Sequence, residues 1–222
     1  DLRLKNNFLK FLSFVIYLSI SFILVLQPDI SQFILISAIY FSSIFLSGFS
    51  FVILISIIIL GVISFLGIYL LNFNVQNRIN SFFSPDQYDV SQAELSLKAI
   101  KSGGLTGVGP GNGKIKEKIP EAESDYIFSV IAEEYGLVGC LMLLTIFFII
   151  AYNSFKSLYS NNNHFVQISL FTLVVYFCLQ ALIHMSVNIR LIPTTGITLP
   201  FISYGGSSIL GMSITCGLIM MF

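Results

Sequence analysis

Continuous apolar runs constrain this chain more than any other feature. They recur at residues 8–26, 30–47, 50–71, 125–152, 165–187 and 207–222, and a helix needs roughly 20 apolar residues to cross about 30 Å of hydrocarbon. In lipid every backbone N–H and C=O must be paired internally, which leaves only helices or closed barrels. These runs are continuous instead of alternating, so they predict an all-α, polytopic transmembrane bundle with six spans. Composition agrees, with 55% hydrophobic residues, 10% charged residues and a mean hydropathy of +0.89, outside the range of a soluble domain of this length.

Formal net charge is zero, from 11 basic and 11 acidic residues, which argues against nucleic acid as a partner. Cys140, Cys178 and Cys216 lie inside apolar runs at spacings far beyond any metal motif, and read as packing residues. His164 and His184 are isolated, without ligand spacing, so no histidine metal site is expected. Asp1 in place of methionine, and an apolar run still in progress at Phe222, read as a segment cut from a longer chain. Arg3 and Lys5 precede the first run and Lys10 stands at its start, while the short connection at Pro28 and Asp29 has no basic residue, which puts the amino end in the cytoplasm. Counting spans then places residues 72–124 and 188–206 outside and residues 153–164, with Lys156, inside. Arg190 stands against the last step.

Residues 72–124 form a polar island that runs into Asp125 at the head of an apolar segment, and seven acids fall in or at the end of it. Residues 91–102 place Leu95, Leu97, Ala99 and Ile100 among polar neighbours, as in a short amphipathic helix lying on the membrane surface or in a solvated helix covering the bundle. The glycine-rich run 103–113 fails the phosphate fingerprints. Val108 stands where a P-loop requires glycine, Ile115 replaces its serine or threonine, and no register gives GxGxxG. A structural turn is therefore preferred to an anion cradle. Pro120 with the acids after it has the form of a helix start.

Glu133 lies eight residues beyond Asp125, about 12 Å deeper along a helix, where an ionised side chain costs roughly 3 kcal/mol. At helical pitch Glu133 is about a quarter turn from Asp125 and Glu134 nearly opposite it, so neither pairs with it. Both are expected to make polar contacts within the bundle, with Gly136 and Gly139 allowing close helix approach. Residues 191–208, broken by two prolines and three glycines, cannot form a plain spanning helix. Irregular backbone at membrane depth must face protein or a cavity, which predicts a re-entrant segment beside a site, over residues 191–206.

Pro120-Glu121-Ala122-Glu123-Ser124-Asp125-Tyr126-Ile127-Phe128, followed by Ala132-Glu133-Glu134-Tyr135-Gly136, resembles the signature of the FtsW/RodA/SpoVE (SEDS) family of bacterial shape, elongation, division and sporulation proteins. Leu26-Gln27-Pro28-Asp29, Arg78-Ile79-Asn80-Ser81-Phe82 and Leu199-Pro200-Phe201-Ile202-Ser203-Tyr204-Gly205-Gly206-Ser207-Ser208 resemble further family motifs in the same order. Gly107-Val108-Gly109-Pro110-Gly111 with residues 188–198 is more similar to the division branch than to the elongation branch. Family members have ten spans, so the chain would be one membrane domain corresponding to spans five to ten: three spans over residues 1–71, the large loop 72–124, and three spans over 125–222. Two departures stand out, Glu123-Ser124-Asp125 where the family usually has His-Thr-Asp, and Tyr126 where it has phenylalanine.

The resemblance implies a peptidoglycan glycosyltransferase that polymerises lipid II at the outer face of the bacterial cytoplasmic membrane during septal wall synthesis. Asp125 is then the general base that accepts the acceptor hydroxyl's proton. Arg78 and Lys114 are the cations expected near the diphosphate leaving group, and Gln27, Asp29 and Ser207 are further candidates for substrate contact. Asp29 has two readings, holding the end of its helix or lining the same cavity. No cofactor is required by this reading, though a divalent cation, Mg or Mn, is compatible with it. The implied partner is a class B penicillin-binding protein transpeptidase, with other division proteins. The competing functions are a lipid II flippase and a non-catalytic division scaffold or truncated product.

Overall fold

The computed structural model describes residues 2–27, 29–48 and 92–221, together with the isolated positions 55, 59, 67, 69, 70, 76, 77 and 80. Most of the third apolar run, most of the first part of the polar island, and Arg78 lie outside the described residues. The chain groups into two compact units, Asp1–Val75 and Gln76–Phe222. All regular structure among the described residues is helical.

In the first unit, α1 (Leu2–Leu26) and α2 (Ile30–Leu46) pack side by side. Tyr17 stacks on Tyr40 with ring centroids 4.2 Å apart, and its hydroxyl meets Ser37 Oγ at 2.9 Å in a buried contact. Asp29 caps α2, accepting from Gln32 N at 3.1 Å, which supplies one of the amides a helix start leaves unpaired.

The second unit contains α3 (Gln92–Gly103), a single 3-10 turn at Lys116–Lys118, α4 (Ile127–Ser160), α5 (His164–Asn188) and α6 (Gly206–Met221). Ile127–Tyr159 and His164–Asn188 are long and apolar enough to cross a membrane. The 34 residues of α4 would extend about 51 Å at 1.5 Å per residue. Much of the outward surface of α4 is apolar and exposed, as at Val138, Met142 and Phe148, and such a surface suits hydrocarbon. The loop expected over residues 153–164 is far shorter. With no proline or glycine between Asn153 and Ser160 to stop it, α4 carries Lys156 on its last turns, and only residues 161–163 connect it to α5. Asn163 caps α5 by accepting from Phe165 N at 3.1 Å.

α4 is not continuous. At Gly136 the backbone leaves the helical region (φ 65°, ψ −161°), and four backbone groups lose the partners that an i to i−4 ladder would give them. The chain after α3 replaces those partners. Val108 N donates to Glu133 O and Gly109 N to Glu134 O, each at 3.0 Å. In return Leu137 N donates to Gly104 O at 3.0 Å and Val138 N to Leu105 O at 3.2 Å. The approach leaves no room for side chains: a Cβ on Gly107 would stand 2.1 Å from Glu134 O, and one on Gly103 would stand 1.9 Å from Ala132 O. The glycine-rich run is therefore a backbone insert in a broken helix. Gly136 admits this loop and not a neighbouring helix, and a Cβ on Gly139 would meet Tyr135 of the same helix at 2.4 Å.

The amphipathic helix predicted over 91–102 is α3. Its buried face is made of Ala93, Ser96, Ala99 and Gly103, small residues that let α3 lie close against α4. Leu95 and Ile100 are only partly buried at its flanks. Two apolar clusters fix the arrangement. Phe128, Ala132, Cys140 and Leu143 of α4 pack with Ala181 and Met185 of α5 and with Leu199. Tyr126 packs with Ala99, Ile119 and Val187. Between helices in hydrocarbon such clusters hold by close van der Waals packing.

Candidate functional site

Asp125 sits two residues before α4, half-buried, where residues 119–126 meet residues 193–206. Its amide donates to Glu121 O at 3.0 Å. That turn requires Glu121 to adopt a positive φ of 56°, and Phe201, in the facing segment, adopts 61°. Left-handed backbone at non-glycine residues costs about 1–3 kcal/mol each and is retained where surrounding contacts over-determine it.

Here those contacts are specific. Three successive carbonyls leading into α4 each receive a donor from far along the chain. Tyr204 N donates to Glu123 O at 2.9 Å, Ser203 Oγ donates to Ser124 O, and Asn188 Nδ2 donates to Asp125 O at 3.1 Å. Asn188 also acts as the cap that α4 lacks locally. The residue in the cap position, Tyr126, makes no side-chain cap bond, and Asn188 Oδ1 accepts from Ser129 N at 3.0 Å instead. Asn188 is fully buried, and its own carbonyl accepts from Ser96 Oγ of α3 at 2.8 Å.

The segment that supplies these donors is itself held by α5. His184 Nδ1 donates to Ile197 O at 2.7 Å, and Gln180 Nε2 donates to Thr198 O at 3.0 Å. Leu199 N donates to Ser203 Oγ at 2.7 Å. Gln180, His184 and Asn188 recur every four residues and so share one face of α5. Gly196 turns with φ 68°, and a Cβ there would stand 3.6 Å from Asp125 Oδ2. The carboxylate therefore lies against the backbone of that turn.

Beside this junction opens a cleft of about 410 Å³, lined by Lys116, Ile119, Glu121, Ala122, Glu123, Ser124 and Tyr204. Lys116 faces it, tied to Glu134 by a salt bridge. The Glu134 carboxylate, bonded to the ammonium, holds Lys116 above the usual lysine range. Glu133 is buried, and its carboxylate accepts from three successive amides, Lys114 N, Ile115 N and Lys116 N, each at 2.9 Å. Amide clusters of this kind bind anions, and here the anion is the chain's own carboxylate. Both glutamates thus find their partners in the loop, a correction to the expectation of contacts within the helix bundle: the kink at Gly136 brings the loop to them.

The other sequence candidates are placed as follows. Lys114 is exposed and is not among the residues lining this cleft. Ser207 is exposed in the first turn of α6. Asp29 caps α2, and Gln27 N donates to Ile23 O at 3.0 Å at the end of α1. Arg78 lies outside the described residues. Among the described residues no group of three His, Cys, Asp or Glu side chains converges to hold a metal ion. Lys116, Asn188, Ser203 and Tyr204 were not singled out from sequence. The available signal is the four-residue spacing of Gln180, His184 and Asn188, three polar side chains on one face of an apolar run.

Two solved structures share this arrangement of helices, each at 24% identity. One, a peptidoglycan synthase complex in which polymerization and crosslinking are coordinated, covers 93% of this chain and 58% of its own, with a TM-score of 0.71. The other, the rod shape determining protein RodA of Thermus thermophilus, covers 94% of this chain and 54% of its own, with a TM-score of 0.60. Fold and apolar helices together define a helical membrane protein. Residues 3–222 match the FtsW/RodA/SpoVE cell cycle protein profile, and the chain belongs to that family. Curated relatives include the probable peptidoglycan glycosyltransferases FtsW of Caulobacter vibrioides, 39% identical over 93% of this chain and 53% of the relative, and of Nitrosomonas europaea, 34% identical over 97% of this chain and 58% of the relative. The chain spans about half the length of the curated relatives it matches.

Proposed function

We propose that this chain forms the catalytic part of a peptidoglycan glycosyltransferase of the division type, within one membrane domain of the bacterial cytoplasmic membrane whose active face is extracytoplasmic. The observation that carries the reading is Asp125, a half-buried carboxylate whose backbone is tethered through three consecutive carbonyls beside an open cleft. Membership of a family whose curated relatives are named as such transferases supports it.

In the proposed reaction the 4-hydroxyl of an acceptor sugar attacks the anomeric carbon of the donor chain. The bond to the lipid diphosphate breaks, the diphosphate leaves, and an α linkage becomes a β linkage. A single inverting displacement needs one base, and Asp125 takes the hydroxyl proton; general bases contribute about 10²–10⁴-fold. Lys116, which lines the cleft, is a cation available to the leaving group, with Arg78 and Lys114 as further candidates and Gln27, Asp29 and Ser207 for the substrate. The substrate is lipid II, and the partner a class B penicillin-binding protein. A transporter would use the membrane carboxylates Glu133 and Glu134 as a polar path across the bundle, and both are engaged by the loop.

The deciding measurement is glycan-strand formation from lipid II by purified protein. Asp125→Asn is expected to lower the rate by about 10²–10⁴-fold, with lipid II translocation in vesicles unchanged. Wild-type polymerisation by that variant removes the base, and loss of translocation alone favours transport.

A further inference from the structure

We propose that Asn188 and Ser203 are positioning residues for Asp125, a two-point clamp that sets where the base stands relative to the cleft. This rests on Asp125 acting as the base. Ser203 is 2% exposed and Asn188 is 0% exposed, so both work in a protected environment where each hydrogen bond is geometrically decisive.

Their bonding is saturated in a way that mere packing does not require. Asn188 spends both amide hydrogens as donors, one on Asp125 O at 3.1 Å and one on His184 O at 2.9 Å, while its oxygen accepts from Ser129 N at 3.0 Å. The side chain thereby fixes Asp125 and the first turn of α4 to the same point on α5. Ser203 works from the opposite side. Its hydroxyl accepts from Leu199 N at 2.7 Å and donates to Ser124 O, so one oxygen joins the segment around Leu199 to the residue before Asp125. Tyr204 N on Glu123 O adds a third tether that no side-chain substitution removes.

With the carbonyls of the two peptides that flank the Asp125 Cα held, the direction in which the Asp125 side chain leaves the backbone is set by α5 and the 193–206 segment, not by α4 alone. The carboxylate is left against the Gly196 turn. A base displaced by about 1 Å loses on the order of 100-fold in rate, whereas substrate binding depends on other contacts. The clamp therefore acts on kcat and not on KM.

The test uses steady-state glycan polymerisation by purified Asn188→Ala and Ser203→Ala, with Asp125→Asn and the buried core variant Leu170→Ala as references. Each clamp variant is expected to lose at least about 10-fold in kcat with KM within about twofold. Leu170→Ala is expected to melt at a lower temperature with kcat per folded molecule unchanged. Ser203→Ala removes one hydroxyl and leaves the α4 cap intact, so it gives the same reading if Asn188→Ala does not accumulate. Wild-type kcat in the clamp variants, or a rise in KM alone, beside an inactive Asp125→Asn overturns the clamp. A fully active Asp125→Asn overturns the assignment of the base and the clamp with it.

Discussion

Residues 104–118 and residues 193–206 are both irregular, both rich in glycine or proline, and both packed against the beginning of α4, yet they are held by different physics. The first is seated by backbone shape. Its amides and carbonyls complete the broken ladder of α4, and Gly107 sits where a Cβ would collide with the main chain at Glu134. The second is held mainly by individual side chains: Gln180 and His184 of α5 donate to its carbonyls, and its own Ser203 joins Leu199 N to Ser124 O. A backbone seat tolerates almost no substitution but is indifferent to chemistry. A side-chain tether tolerates removal of one member and is sensitive to which atom is lost.

The sharpest way to break this contrast is Gly107→Val. With φ at 80° and the Glu134 carbonyl 2.1 Å from the new Cβ, the loop cannot seat, and a loss above about 3 kcal/mol is expected from strain and forced displacement together. The check is thermal unfolding in detergent with protease cleavage within residues 104–118. Unchanged melting and protection would mean that the loop does not depend on this close approach.

Glu133→Ala asks whether the loop has a side-chain tether as well. It leaves three amides without their carboxylate, and buried donors left unpaired cost about 1–3 kcal/mol each before water re-enters. A net loss of about 3 kcal/mol is expected, with increased amide hydrogen exchange confined to Lys114, Ile115 and Lys116. Exchange rising evenly over residues 104–118 would instead mark Glu133 as a general packing residue.

Lys116→Met is the mildest. The pair with Glu134 is part-exposed, and such pairs contribute at most about 1 kcal/mol. Because the folded lysine is raised by its partner, the pair's contribution is fully present below the ordinary lysine pKa of about 10.4 and fades only as pH climbs past the raised value. Wild type and variant should therefore differ equally at pH 6 and pH 8, about two units apart in buffer and far below that threshold. A difference that vanishes between those two buffers would show that another group titrates at the contact.

Much of the architecture was legible in the sequence because it is local. Apolar runs located α1, α2, α4, α5 and α6, and an amphipathic pattern located α3, since helix formation and burial respond to neighbours one to four residues away. The length of α4 is not legible at Asn153, where polar residues have the composition of a loop although no proline or glycine stops the helix before Ser160. Asp125 stood out from its place at the head of an apolar run, and from the motif around it. The partners of Glu133 and Glu134 did not, because helical periodicity describes a straight helix and Gly136 breaks this one.

The sequence by itself determined which stretches become helices, which family they belong to, and that a carboxylate stands where a polar loop meets an apolar helix. Only the tertiary structure decided what holds that carboxylate. Asn188 and Ser203 reach Asp125 and Ser124 across separations of 63 and 79 residues. Pairings that distant follow from how α3, α4 and α5 pack and from where α4 breaks, and no local propensity encodes them.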